Sequence, residues 1–431
     1  MTQRTPEKLG LAELIAMGVG GMIGGGIFSV LGIAVGISGH ATPLAFALGG
    51  LIAMLAGYSY VRLALAYRDD GASFTYLERA FPKHPHVAGV EGWAVIVGYV
   101  GTLALYAFTF GAYGADLLGS DNDPMVRLVL STGVLLFFMV VNLRGVKSSG
   151  RTEDLIVYTK IILLAFFAFA GMRSVKSDHL FPVFDTGVSS VFIAGAMVFV
   201  AFEGFQLITN AITEIDDPDK NVPRGIYGSI IITTLIYLSV AFVAIGSPTA
   251  AELIAAEEYA LAVAAEPALG NAGRVLVGVA ALLATSSAIN ATVFGASRML
   301  SQMASERIVP KAFSFRSRVG HAPVVGVITM TALGIAFTTM NSLGTIASFS
   351  SLTFLLVSLG VGIANYRLRA ITRANPTIVL CGIMVVALTI GLLLSYMWSH
   401  DRSTLASIGL IYGVVFVAES AFSKRLSFLR K

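Results

Sequence analysis

Charge is scarce in this chain. Asp, Glu, Lys and Arg make up 13% of its 431 residues, about half their usual share in a soluble domain, which excludes an ordinary water-exposed globular surface. Cys381 is the sole cysteine and sits inside an apolar run, so an intramolecular disulfide and a cysteine metal cluster are both excluded. The six histidines stand singly or near loops without HExxH spacing, and no metal site or cofactor is expected. A nucleophile–histidine pair and a phosphate loop at mechanistic spacing are also missing, which argues against a membrane enzyme. The only tryptophans, Trp93 and Trp398, read as interfacial anchors. A net charge of +4 arises in short loops rather than on one face, so no nucleic-acid partner is implied.

What is abundant is apolar surface. Hydrophobic residues make up 56% of the chain and the mean hydropathy is +0.80, so the solvent for most of it is the lipid bilayer. The forty-five glycines suit spanning helices, where small residues allow close backbone approach. With ~20 apolar residues needed per span, the hydrophobic pattern predicts twelve helices near 11–37, 42–67, 88–117, 126–145, 154–174, 187–212, 225–246, 271–304, 324–341, 344–367, 376–398 and 404–422. No length remains for a sizeable soluble domain, and the whole of 1–431 reads as one transmembrane unit. Arg4 and Lys8 before an apolar stretch imitate a signal peptide, but Glu13 and a run of glycines replace its core and cleavage pattern, so a retained first helix is expected.

The loop charges orient this map. With the N-terminus inside, the inner segments hold 23 Lys and Arg against 5 outside, which places both termini in the cytoplasm. Lys160 is the one of the 29 assigned to neither side. Segment 248–266 carries Glu252, Glu257, Glu258 and Glu266 among alanines and is expected to form an external amphipathic helix or lid.

Two spans look interrupted. The first contains Gly18-Val19-Gly20-Gly21-Met22-Ile23-Gly24-Gly25-Gly26-Ile27-Phe28, and each glycine costs a continuous helix ~1 kcal/mol relative to alanine. A break over 23–26 exposes amides at the start of an outer half-helix, where the dipole favours a carboxylate. Such a break must line a cavity. The sixth span places Glu203 beside Gly204 at mid-membrane depth, a functional candidate by position. The two lie five helices apart, the spacing of paired broken helices in inverted repeats.

These motifs resemble the amino acid/polyamine/organocation superfamily, in particular its proton-coupled, broad-specificity amino acid permeases. The likeness rests on Ile23-Gly24-Gly25-Gly26-Ile27-Phe28, on Phe202-Glu203-Gly204-Phe205, and on the block from Glu214-Ile215-Asp216-Asp217-Pro218 to Asn221-Val222-Pro223-Arg224. In that block Pro223 is expected near a first-turn position of the seventh helix. Asp70-Gly71-Ala72-Ser73-Phe74 and Ser286-Ser287-Ala288-Ile289-Asn290 add to it. The resemblance implies an all-α membrane protein of LeuT type: twelve transmembrane helices with a 5+5 inverted repeat over 11–174 and 187–367, helices one and six discontinuous, and two more helices in 376–422. It implies a small-molecule substrate, an amino acid or amine, imported through the plasma membrane. The α-carboxylate would meet Ile23, Gly24, Gly25 and Gly26, and the ammonium the carbonyls around Phe199, Val200 and Phe202. Thr102, Tyr106 and Asn290 are further candidates for the pocket.

Lys160 has two readings. From the residues alone, a long stem lets its ammonium reach the interface. The resemblance instead implies that it takes the place of the sodium of sodium-coupled members, near the Gly20 carbonyl, Ser286 and Ser287, making the proton the coupling ion and sodium unnecessary. Glu203 stays open between binding a cationic group, relaying a proton and bracing the backbone. Exchange of substrates, or sensing by a transporter-like receptor, are the alternatives to symport, and the oligomeric state is not encoded in any motif.

Overall fold

The computed structural model describes residues 8–69, 72–121, 123–144, 150–305, 308–317 and 322–429. Arg4, Asp70 and Gly71 lie outside them, as do Lys147, Arg307, Arg318, Arg430 and Lys431, which count among the 23 inner cations. Among the described residues the regular structure is helical. In chain order the α-helices are α1 (Leu11–Met22), α2 (Gly26–Ser38), α3 (Thr42–Tyr67), α4 (Ala72–Ala80), α5 (Pro85–Leu117), α6 (Pro124–Leu143), α7 (Gly150–Gly171), α8 (Val188–Met197), α9 (Pro218–Gly246), α10 (Ala250–Ala255), α11 (Ala260–Ser305), α12 (Val324–Met340), α13 (Leu343–Arg367), α14 (Arg369–Thr372), α15 (Pro376–His400) and α16 (Arg402–Leu429). Nine stretches of the described residues are long and apolar enough to cross a bilayer, and three shorter apolar helices accompany them.

Local sequence sets most of the helix starts. Asp123 accepts from the Met125 amide at 2.8 Å with Pro124 in the first turn, and Asn375 caps α15 in the same way before Pro376. Proline is suited to that turn because its missing N–H would be unpaired there in any case. The seventh predicted span corrects one expectation. Pro218, not Pro223, opens α9, because Asp217 takes a left-handed conformation (φ 40°) that turns the chain earlier. Pro223 lies inside the helix.

The acidic segment 248–266 is helical, as its composition predicts, but it is split. Thr249 and Glu252 form a capping box on α10, and this pairing holds the Glu252 carboxyl below the usual carboxylate range. A short turn at Glu257–Tyr259 then leads into α11. The predicted start of the eighth span at residue 271 coincides with a kink inside α11 at Gly270, whose φ of 61° is accessible to glycine without strain.

The core is a large apolar cluster joined by a smaller one built from residues of α5, α6, α11 and α12. Helix α5 packs along α11 and α13, while α3 packs along α9, and α1 with α2 lies between these pairs. This arrangement puts the glycine-rich first segment and residues 198–214 at the centre of the bundle.

Candidate functional site

The first segment is interrupted where three consecutive glycines stand. Helix α1 ends at Met22, α2 begins at Gly26, and the turn between them places Ile23 at φ −82°, ψ 30° and Gly25 at φ −124°, ψ −8°. The Ser29 hydroxyl of α2 lies 2.7 Å from the Gly25 carbonyl and 2.6 Å from Thr109 Oγ1 of α5, which anchors the turn to its neighbour.

The opposing segment changes its winding instead of unravelling. After Met197 the chain tightens into 3₁₀ geometry over Val198–Glu214, leaving helical dihedrals only at Ala211. Phe202, Glu203 and Gly204 therefore sit within a wound stretch, where an open break was expected. The change at Met197 frees backbone groups, and Ser351 of α13 meets them. It accepts from the Val200 amide at 3.1 Å and donates to the Met197 carbonyl.

Glycine lets the two segments touch through their backbones. A Cβ on Gly204 would lie 2.7 Å from Gly21 Cα, a distance at which something must shift. Tyr237 of α9 joins them a turn further on, its hydroxyl donating to the Met22 carbonyl at 2.6 Å and reaching the Ala201 carbonyl at 3.1 Å. At the far end, the Leu9 amide donates to Glu214 O at 2.8 Å and the Asp216 amide to Leu9 O at 2.9 Å, so a short parallel bridge pins the start of α1 to the end of the opposing segment.

Beside this crossing lies a cavity of ≈ 60 Å³ lined by Met17, Gly20 and Gly21 of α1, by Tyr99, Thr102 and Tyr106 of α5, by Glu203, Gly204, Leu207 and Asn210, and by Ser287, Ala288, Ala291 and Thr292 of α11. That is room for roughly four or five waters, the scale of a small zwitterion. Glu203 is 5% exposed and supplies the carboxylate of the lining, which among the described residues includes no lysine or arginine. Tyr99 pairs with Asn210.

The predicted residues divide. Thr102, Tyr106, Glu203, Gly204, Gly20 and Ser287 line the cavity, whereas Ile23, Gly24, Gly25, Gly26, Phe199, Val200 and Phe202 stand behind its wall. The Tyr106 ring packs on Gly24 and Gly25, and the Ile23 amide is engaged by Val19 O at 2.8 Å. Asn290 faces away, accepting from Asn142 of α6 at 3.0 Å, because the cavity-lining face of α11 is set by Ser287, Ala288, Ala291 and Thr292. Ser286 is partly buried in the same helix. Lys160 is fully buried on α7, and its Nζ donates to the Gly20 carbonyl at 3.2 Å. Val157, one turn earlier, fits the notch left by Gly20. Tyr99, Asn210, Tyr237 and Ser351 were not singled out from sequence. Each is an ordinary polar residue on an apolar helix, and only the packing shows what it faces.

A multi-span helical bundle with a polar cavity beside an interrupted helix defines a membrane transporter. The chain belongs to the amino acid permease family, whose model matches residues 9–418. An uncharacterized protein of Methanocaldococcus jannaschii is 33% identical over 419 residues, covering 97% of this chain and 96% of that relative. The inner membrane transport protein YbaT of Escherichia coli is 33% identical over 405 residues, covering 93% and 92%. The serine/threonine exchanger SteT of Bacillus subtilis is 27% identical over 315 residues, covering 71% and 70%.

Proposed function

We propose that this chain imports amino acids across the plasma membrane by proton symport and alternating access, with twelve spans, a 5+5 inverted repeat and both termini in the cytoplasm. The observation that carries the coupling is the contact of Lys160 Nζ with Gly20 O at 3.2 Å. An ammonium donates there and a neutral amine does so about half as strongly, since charge-assisted hydrogen bonds are roughly twice as strong as neutral ones. Protonation therefore holds α7 to α1, and loss of the proton loosens α1 from its neighbour. The cavity touches the same stretch of α1 through Gly20 and Gly21, so substrate and proton act on one moving element.

The direction of access has support as well. Met17, Leu207, Asn210 and Gly295 extend the cavity toward the end marked by Leu9 and Ile215, where inner-loop cations cluster. At the other end Arg274 pairs with Asp116, Arg127 with Glu258, and Tyr259 with Asp121 at 2.9 Å, while the Glu257 backbone packs over Gly32 of α2. Together these support a closed outer side and a cytoplasm-directed cavity.

Proteoliposome uptake under an imposed pH gradient tests the reading. Accumulation driven by an acidic outside, indifferent to sodium and abolished by Lys160→Gln, is expected; full sodium dependence would refute it. Exchange is the second reading, favoured by the likeness to a serine/threonine exchanger. It requires uptake accelerated by internal substrate without a proton gradient.

A further inference from the structure

About two turns before Tyr99 along α5, toward the start of that helix, lies a second concave site, of ≈ 410 Å³, between α4, α5, α13 and α16. Its walls are apolar: Val87, Val90, Leu356, Leu359 and Phe416. Glu91, 7% exposed, lines it, and its Oε1 is buried without a hydrogen-bond partner among the described residues. Opposite stands Gly360, where a Cβ would lie 2.9 Å from Glu91 Oε2. Any larger residue at 360 would crowd the carboxylate, so the glycine leaves it room. Among the described residues no lysine or arginine lines the site. His86, also in the lining, lies beside Glu419, a separate carboxylate packed against the neighbouring face of α5 at Gly89.

An uncompensated carboxylate in apolar surroundings is costly, and the surroundings state what would relieve it. Glu91 follows Pro85, the first residue of α5, by six positions, which puts it about 9 Å along the helix and near the bilayer boundary. Val87, Ile363 and Phe416 at the site are 36%, 42% and 62% exposed. On a multi-span membrane protein such exposed apolar side chains face lipid. A ligand that fits must bring a cationic hydrogen-bond donor to Glu91 and lay apolar chains along that rim.

We propose that this site binds an aminophospholipid, with the primary ammonium of a phosphatidylethanolamine headgroup on the Glu91 carboxylate and its acyl chains against Phe416 and Ile363. A primary ammonium donates up to three hydrogen bonds, whereas the quaternary ammonium of phosphatidylcholine donates none. The charge-assisted bond therefore discriminates the two headgroups. The bound lipid braces α16 against α5 and α13, away from the transport cavity, and the assignment is independent of the symport reading because its readout is lipid retention and not transport.

Native mass spectrometry of the full chain, exchanged into mixed micelles of dioleoyl phosphatidylethanolamine, phosphatidylcholine and phosphatidylglycerol, tests it. The wild type is expected to retain phosphatidylethanolamine over phosphatidylcholine by roughly ten-fold or more, the discrimination of a hydrogen bond to a charged group. Glu91→Gln, nearly isosteric, should bring the two to parity. Gly360→Ala, which narrows the site from the facing wall, should lower phosphatidylethanolamine retention while thermal unfolding shows the protein folded. Equal retention of both lipids by the wild type overturns the proposal. So does an undiminished preference in Glu91→Gln. Free ethanolamine that binds this site when the lipid does not would also overturn it, by assigning the site to a soluble amine.

Discussion

Gly21 and Gly204, 183 positions apart in sequence, meet backbone to backbone where α1 crosses the 198–214 segment, with Gly204 leaving 2.7 Å between a would-be Cβ and Gly21 Cα. The neighbour is main chain and cannot swing aside as a side chain would. Gly204→Ala is therefore expected to cost about 1–3 kcal/mol by overpacking and to slow transport more than it lowers expression. Thermal unfolding in detergent and initial uptake rates measure the two effects separately. Wild-type uptake by Gly204→Ala would show that the crossing has slack.

Tyr237 holds the same two segments through one hydroxyl, on Met22 O and Ala201 O. Tyr237→Phe keeps the ring, including its edge contact with Phe202 at 5.2 Å between centroids, and removes only the donor. Leaving buried carbonyls unpaired costs about 1–3 kcal/mol. A lower unfolding temperature together with a changed uptake rate is expected, since both segments border the cavity.

Ser351 meets the Val200 amide and the Met197 carbonyl where α8 gives way to tighter winding. Ser351→Ala leaves both groups without this partner. Ser351→Thr retains the hydroxyl and should recover most of the loss, unless its extra methyl clashes with α8. Hydrogen exchange over residues 197–202, faster in the alanine variant than in the wild type, is the readout.

Arg274 and Asp116 tie the start of the long α11 segment to the end of α5, and the Asp116 side chain is fully buried while Arg274 is 30% exposed. Removing Arg274 strands a buried carboxylate, at a cost of about 3 kcal/mol, the lower end for broken buried pairs because the arginine keeps some water. Arg274→Gln combined with Asp116→Asn should restore much of that stability. A thermal double-mutant cycle checks it, and additive single effects would mean the pair is not coupled.

Glu203 supplies the carboxylate in a lining that among the described residues has no lysine or arginine. If it faces a substrate ammonium, Glu203→Gln raises KM roughly ten-fold or more with a smaller effect on the maximal rate. Uptake competition by alanine, glutamate, arginine and putrescine, in both proteins, identifies which cargo depends on the charge. An unaltered KM for every competitor would assign Glu203 to bracing the backbone.

Much of the architecture is written locally. Apolar runs and prolines at helix starts are short-range properties, and they place most helix ends to within a few residues, with the kink at Gly270 falling where the eighth span was expected to begin. The seventh predicted span, α9, starts seven residues before its expected limit and the last, α16, ends seven beyond its own. The glycine run marks the interruption of the first segment because consecutive glycines are unfavourable in a continuous helix. The burial of Lys160 does not follow from its place in an apolar run, since a long stem could equally carry its ammonium to the interface.

Which partner it finds is a tertiary matter. No pattern along α11 distinguishes Ser287, on the cavity, from Asn290, turned to Asn142, because a three-residue step rotates a helix by about 300° and only packing decides which direction faces inward. Nor does Phe202-Glu203-Gly204 reveal whether the chain unravels or tightens there; Ser351 and Tyr237, distant in sequence, supply hydrogen bonds that stabilise the tight form. Sequence determined that a membrane bundle would carry a glycine-rich interruption. The three-dimensional packing alone decided that Gly21 meets Gly204, that Lys160 meets Gly20, and that Glu91 opens onto a second site.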